Sequence, residues 1–123
     1  MLASGLPPGF IAADSQTFAV ALNWERAPVA LSLNNRAYVR FLQMDGSETE
    51  AQLTRFTLFN AATGQGSIRQ DEMRFTQVEP GLWLVDHVYF SQGGARNSWV
   101  ADVEAQSAGR SGKARLSIDY EIL

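Results

Sequence analysis

The sequence predicts an all-β sandwich of seven or eight short antiparallel strands, and three observations predict it. Apolar and polar residues alternate with a period of two in segment after segment. Gly, Pro and Asn-Asp punctuation breaks the chain at short intervals. No stretch holds a helical apolar period over three turns.

Taken in order, residues 1–16 read as a lead-in segment or linker, because Gly5, Pro7, Pro8 and Gly9 forbid helix and make a poor strand. Phe10 and Ile11 are the residues that would pin it to a core. The sandwich domain is expected over 17–123. Phe18, Val20, Leu22 and Trp24 alternate with Thr17, Ala19, Ala21 and Asn23, which makes the first strand. Pro28 breaks the chain before a short extended piece, Val29–Leu33, and Asn34-Asn35 reads as a turn. Ala37–Met44 is a strand with Val39 and Phe41 on one face. Asp45-Gly46 ends it, and the polar stretch Ser47–Gln52 predicts a longer loop in place of a tight hairpin. Arg55–Asn60 carries Phe56 and Leu58 inward, the loop 61–70 follows, and Met73–Val78 sets Met73 and Phe75 on one face. Glu79-Pro80-Gly81 places Pro and Gly where a type II turn wants them.

The stretch Gly81–Val103 then reads as a central hairpin turned by Gly93-Gly94. Trp83 and Val85 share one parity, but Val88 and Phe90 take the other. A β-bulge at Asp86-His87 lets all four face the core. Trp99, Ala101, Val103 and Ala105 point in. Ser107–Gly112 is read as a loop, and the last strand alternates Ala114, Leu116, Ile118, Tyr120 and Ile122 with polar residues. Half-polar strands imply that each sheet has one wet face. The architecture expected is an immunoglobulin-like antiparallel β-sandwich.

Composition narrows function mainly by exclusion. With 123 residues, 46% hydrophobic and 19% charged, the chain can bury one core and has ordinary globular composition. A net charge of −3 and a pI near 5.0 argue against nucleic acid as partner. Cysteine is absent, which removes disulfides, thiol catalysis and thiolate metal sites. No apolar run is long enough for a membrane helix, and Met1-Leu2 leads into ASGLPPGF without the marks of a signal peptide. Membrane attachment would come only through an anchor upstream of residue 1.

Gly81-x-Trp83-x-Val85-x-x-Val88-x-Phe90, followed by Trp99-x-Ala101-x-Val103, resembles the C-terminal half of the YtkA-like and FixH-like group of small bacterial envelope domains. The stretch NRAYVRFLQMDG, Asn35 to Gly46, is similar to that group's early strand. The resemblance implies an exported, periplasmic or extracellular domain, or a membrane-anchored one, that serves as an accessory or assembly module with a protein partner in the envelope. Some members are linked to copper handling. The group's His-Gly pair with a nearby Met corresponds here to Thr63-Gly64-Gln65-Gly66, where Gln65 stands in place of histidine.

Three kinds of chemistry compete. His87, the only histidine, sits beside Asp86 at the expected bulge. It reads first as a surface histidine bonding locally. The sharper reading joins it to Met73 or Met44 as a copper(I) site, since imidazole and thioether suit that ion. Trp24, Trp83 and Trp99 fall inward and read as core. Tyr38 and Tyr89 fall on the outer parity and are the candidates, with Asp86, for ligand binding in a carbohydrate-binding module. Glu48 and Glu50, and Asp71-Glu72, lack the converging run a calcium loop requires. Catalysis finds no support: no G-x-S-x-G elbow occurs, and Ser107–Lys113 fails the phosphate-loop pattern at Ser107 and Ala114. The expectation is a non-enzymatic binding module without a cofactor, copper being the alternative. Exposed edge strands, either Arg36–Arg40 or the final one, offer pairing by β-addition.

Overall fold

A computed structural model describes residues 7–32, 35–64, 66 and 72–123. Its described residues form eight strands: β1 (Ile11–Ala12), β2 (Phe18–Trp24), β3 (Asn35–Gln43), β4 (Gln52–Asn60), β5 (Arg74–Glu79), β6 (Leu82–Val88), β7 (Trp99–Ser107) and β8 (Arg110–Ser117). All pairings are antiparallel. Two sheets result, one ordered β1-β2-β3-β6-β5 and the other β4-β7-β8. Setting β1 aside, this is the A-B-E-D over C-F-G order of a seven-strand immunoglobulin-type sandwich.

The core lies between the sheets and is built by the alternating residues. Phe18, Val20, Val39, Phe41, Phe56, Leu58, Val85, Val88, Phe90, Trp99 and Val103 are all buried. Phe90 meets Trp99 edge to face with ring centroids 5.1 Å apart, and Phe18 meets Phe41 in the same way at 5.6 Å.

The bulge is where the parity slip placed it. Val88 pairs with Asn35 and Val85 with Ala37, so Asp86 and His87 together oppose the single residue Arg36. His87 absorbs the extra residue with φ of 57°. Val85 and Val88 are therefore both fully buried.

The central hairpin is not formed. β6 lies in the five-stranded sheet and β7 in the three-stranded one. The segment between them crosses the end of the sandwich instead of turning back within one sheet. Phe90 can then pack against Trp99 from the opposite side of the core. Gly93 and Gly94 do not turn a hairpin. They admit the returning C-terminus: Gly94 and Ile122 exchange backbone hydrogen bonds of 3.0 and 2.8 Å, and a Cβ on Gly93 would stand 2.6 Å from the Ile122 carbonyl oxygen.

Other differences have local causes. Residues 29–32 form no strand, because their backbone is held by other partners. Ala30 N–H donates to Leu123 O and Leu31 N–H to Phe90 O, while Val29 is gripped by the Asn35 side chain. Leu33 and Asn34 lie outside the described residues, and Asn35 opens β3 instead of ending a turn. The loop expected at 107–112 shrinks to Ala108-Gly109, whose φ values of 54° and 77° fit a two-residue primed hairpin turn. The final strand accordingly starts at Arg110 and stops at Ser117. β3 is central, flanked by β2 and β6, so Arg36–Arg40 offers no open edge. The free edge of β8 is capped where Asp14 N–H donates to Lys113 O and Lys113 N–H donates to the Asp14 carboxylate.

The far end of the expected lead-in contributes to the sandwich. Ile11 and Ala12 pair with Val20 and Ala19, and Ala13 is fully buried. Phe10 covers the outer face of β2 and β3, where Ala19 and Leu42 form a second small cluster with Met44. That face is dry at this end, contrary to the one-wet-face expectation.

Candidate functional site

Three connections converge at one end of the sandwich: the β3–β4 loop, the β5–β6 turn and the β7–β8 turn. They enclose an open groove of about 680 Å³. Gln43, Glu48, Thr49 and Glu50 come from the first connection, Pro80 from the second, Ser107 and Ala108 from the third, and Thr17 from the start of β2. A shallower concavity continues along β5, sharing Glu50 and Pro80. The size falls within the range of pockets that hold ligands, roughly 300–1,000 Å³.

Each wall has a local cause. Asp45-Gly46 turns the chain after β3: Gly46 N–H donates to Gln43 O, and Gln43 N–H donates to Ser47 O at 2.8 Å. The Gln43 side-chain amide donates to Glu48 O at 3.1 Å, and Leu42 makes an isolated bridge to Glu48. Pro80-Gly81 turns β5 into β6 with Gly81 at φ of 79°, and Gly81 O accepts from Phe41 N–H at 2.7 Å. The Thr49 and Ser107 hydroxyls share one hydrogen bond of 3.0 Å, and both residues are buried. One hydroxyl hydrogen of that pair has no acceptor among the described residues, so the groove wall keeps a spare donor.

The electrostatics are one-signed. Glu48 and Glu50 have no ion-pair partner among the described residues, whereas Glu79 reaches Arg40 at 3.5 Å. Asp45 stands at the tip of the loop, where the Ser47 hydroxyl and then the Ser47 backbone N–H donate to it and hold its carboxyl below the usual range. A depressed folded-state value means the turn's contribution is present above the unfolded value and lost as pH falls through the folded one. Replacing Ser47 by Ala is expected to bring the Asp45 titration midpoint back toward its ordinary value. Carbon-detected NMR titration of the carboxyl measures this, and an unchanged midpoint would exclude the Ser47 hydroxyl as the leading cause.

The residues singled out from sequence are dispersed. His87 is exposed and its Nδ1 lies 3.0 Å from the Asp86 carboxylate, a local pair. Met73 sits one position beyond the Arg74–Asp86 ladder pair, hence opposite His87 in register, but its side chain packs into the core. Met44 follows the last residue of the nine-residue β3, whose first residue pairs beside the bulge. At the strand rise of about 3.4 Å, that puts it roughly 30 Å from His87. The three do not converge, and among the described residues no three His, Asp or Glu side chains do. Gln65 lies outside the described residues.

Tyr38 and Tyr89 are both half-buried on the outer side of the five-stranded sheet. Tyr38 pairs with Leu84, five residues before Tyr89, which separates the rings by roughly 15 Å and makes no continuous platform. Asp86 falls between them in register, two residues beyond Leu84 and three before Tyr89. Missed from sequence were Thr17, Gln43, Thr49, Pro80 and Ser107. The shared parity of Glu48 and Glu50 was the one legible trace of the groove. No family model matches the chain, and neither a curated protein nor a solved structure matches it.

Proposed function

We propose that this chain is a non-enzymatic binding module that grips a protein partner in the groove at its loop end. The observation that carries the reading is the concavity itself, formed where the β3–β4 and β7–β8 connections meet. These correspond in strand order to the B–C and F–G connections, which form the recognition end of immunoglobulin variable domains. The correspondence is one of architecture, so it raises the expectation without fixing a ligand. Unpaired Glu48 and Glu50 at the rim favour a partner that presents donors or positive charge. A binding role is supported over catalysis by the layout: the chain's single histidine is at the opposite end of β6 from Pro80-Gly81. The resemblance of Gly81–Phe90 and Trp99–Val103 to YtkA-like and FixH-like domains supports a partner in the bacterial cell envelope, with this chain as an exported or anchored accessory.

Site-specific photo-crosslinking in the native host tests the reading. A crosslinker at Ala108 is expected to give one discrete protein adduct, and the same group at Arg55, exposed on β4, none. Glu48→Lys combined with Glu50→Lys is expected to cut the Ala108 adduct at least tenfold. Equal adducts at both positions, or none at Ala108, would overturn it.

A further inference from the structure

A second concavity lies away from the groove, where β2 and the chain after β8 part at the side of the sandwich. It has a volume of about 250 Å³ and is lined by Leu22, Asn23, Trp24, Ser117, Asp119 and Tyr120. Its composition differs in kind from that of the groove. Two aromatic residues border it: Tyr120 is 37% exposed, and half-buried Trp24 is backed by Phe90 with ring centroids 5.6 Å apart. The neighbouring polar groups are uncommitted. Neither the Trp24 indole N–H, the Asn23 amide nor the Ser117 hydroxyl has a protein hydrogen-bond partner among the described residues. The Asp119 carboxylate is already balanced by Arg96 at 3.4 Å.

We propose that this cleft is a saccharide subsite. Trp24 and Tyr120 offer ring surface to the C–H face of a pyranose, while Asn23, Ser117 and Asp119 hydrogen-bond its hydroxyls. The chemistry selects a neutral polyhydroxylated ligand. A lipid chain would leave the amide and hydroxyl unused, and the lining residues include no cation to hold a phosphate. The volume lies below the roughly 300 Å³ lower end of drug-sized pockets, which suits one sugar ring rather than a chain buried along its length. Backing by Phe90 pre-orders Trp24, so binding loses little side-chain entropy. The site is independent of the groove and of the partner proposed for it.

The test is an NMR titration of the intact chain with cellobiose, maltose and chitobiose as separate probes. At least one is expected to bind in the millimolar range and to shift the Trp24 indole N–H together with the Ser117 and Tyr120 amides. Tyr120→Ala is expected to weaken that binding at least tenfold with an unchanged amide spectrum elsewhere, and Asn23→Ala several-fold. Tyr38→Ala is expected to leave it unaltered. The proposal is overturned if none of the three probes moves the Trp24 indole resonance, if the shifts centre on Tyr38 or Tyr89, or if a folded Tyr120→Ala chain binds as before.

Discussion

Gly81→Ala is expected to destabilise the fold by about 2–5 kcal/mol, combining the cost of a side chain in the left-handed region with overpacking against backbone. Gly81 has φ of 79°, and a Cβ there would stand 2.5 Å from the Thr49 carbonyl oxygen and 3.1 Å from that of Phe41. Neither atom yields cheaply. Phe41 lies inside β3, and its own N–H donates to Gly81 O at 2.7 Å, so separating the turn from the strand breaks that bond. Thr49 carries the hydroxyl bonded to Ser107 on the groove wall. Gly109 isolates the two contributions, since its φ of 77° is similar but a Cβ there meets nothing within 4 Å. Gly109→Ala is expected to cost only about 1–2 kcal/mol, the conformational part alone. Urea unfolding of both variants measures the difference. Equal losses would show that the close approach of the β5–β6 turn to the β3–β4 loop contributes nothing.

Asn35→Ala is expected to cost about 2–4 kcal/mol, the range for stranding several buried backbone groups at once. Asn35 is 7% exposed. Its Oδ1 accepts from Val29 N–H at 2.8 Å, and its Nδ2 donates to Val29 O at 2.8 Å and to Ser32 O and Val88 O at 3.1 Å. One side chain thereby stands in for the strand pairing that residues 29–32 lack and ties them to the end of β6. Asn35→Asp keeps the acceptor toward Val29 but turns a second acceptor onto three carbonyl oxygens, and is expected to cost more than the alanine. Denaturant unfolding gives the totals. Hydrogen exchange gives the location: protection of the Val29 and Leu31 amides is expected to fall first, with β7 and β8 unchanged. Uniform loss of protection across both sheets would contradict the assignment.

Most strands were legible because their signals are local. β2 alternates strictly from Thr17 to Trp24, and the strand spans Phe18–Trp24. The inward set on β7 reads straight from its parity, and Trp99, Ala101, Val103 and Ala105 are all fully buried. Even the bulge at Asp86-His87 could be read, since a slip in parity without Gly or Pro has few other causes. Strand ends were less legible. Ser111 and Gly112 look like loop residues, yet they pair with Gln106 and Ala105 because a two-residue turn brings β8 back alongside β7. Tyr120 looked inward as the continuation of an alternating strand. The ladder stops at Ser117, and the chain bends away to bridge Gly94 through Ile122, which leaves the ring at the surface.

Alternation thus determined the fold class, the core residues and the bulge, because the burial of one face depends only on neighbours along the chain. Only the tertiary structure decided which strands share a sheet. An inward-facing strand satisfies the same core from either side, so β6 and β7 satisfy one pattern whether paired or apposed. Both concavities follow from that decision. The groove needs Glu48, Pro80 and Ser107 brought to one end, and the cleft needs Trp24 beside Tyr120. Residues so far apart in sequence become neighbours only through sheet assignment and the return of the C-terminus, and neither leaves a periodic trace in the chain.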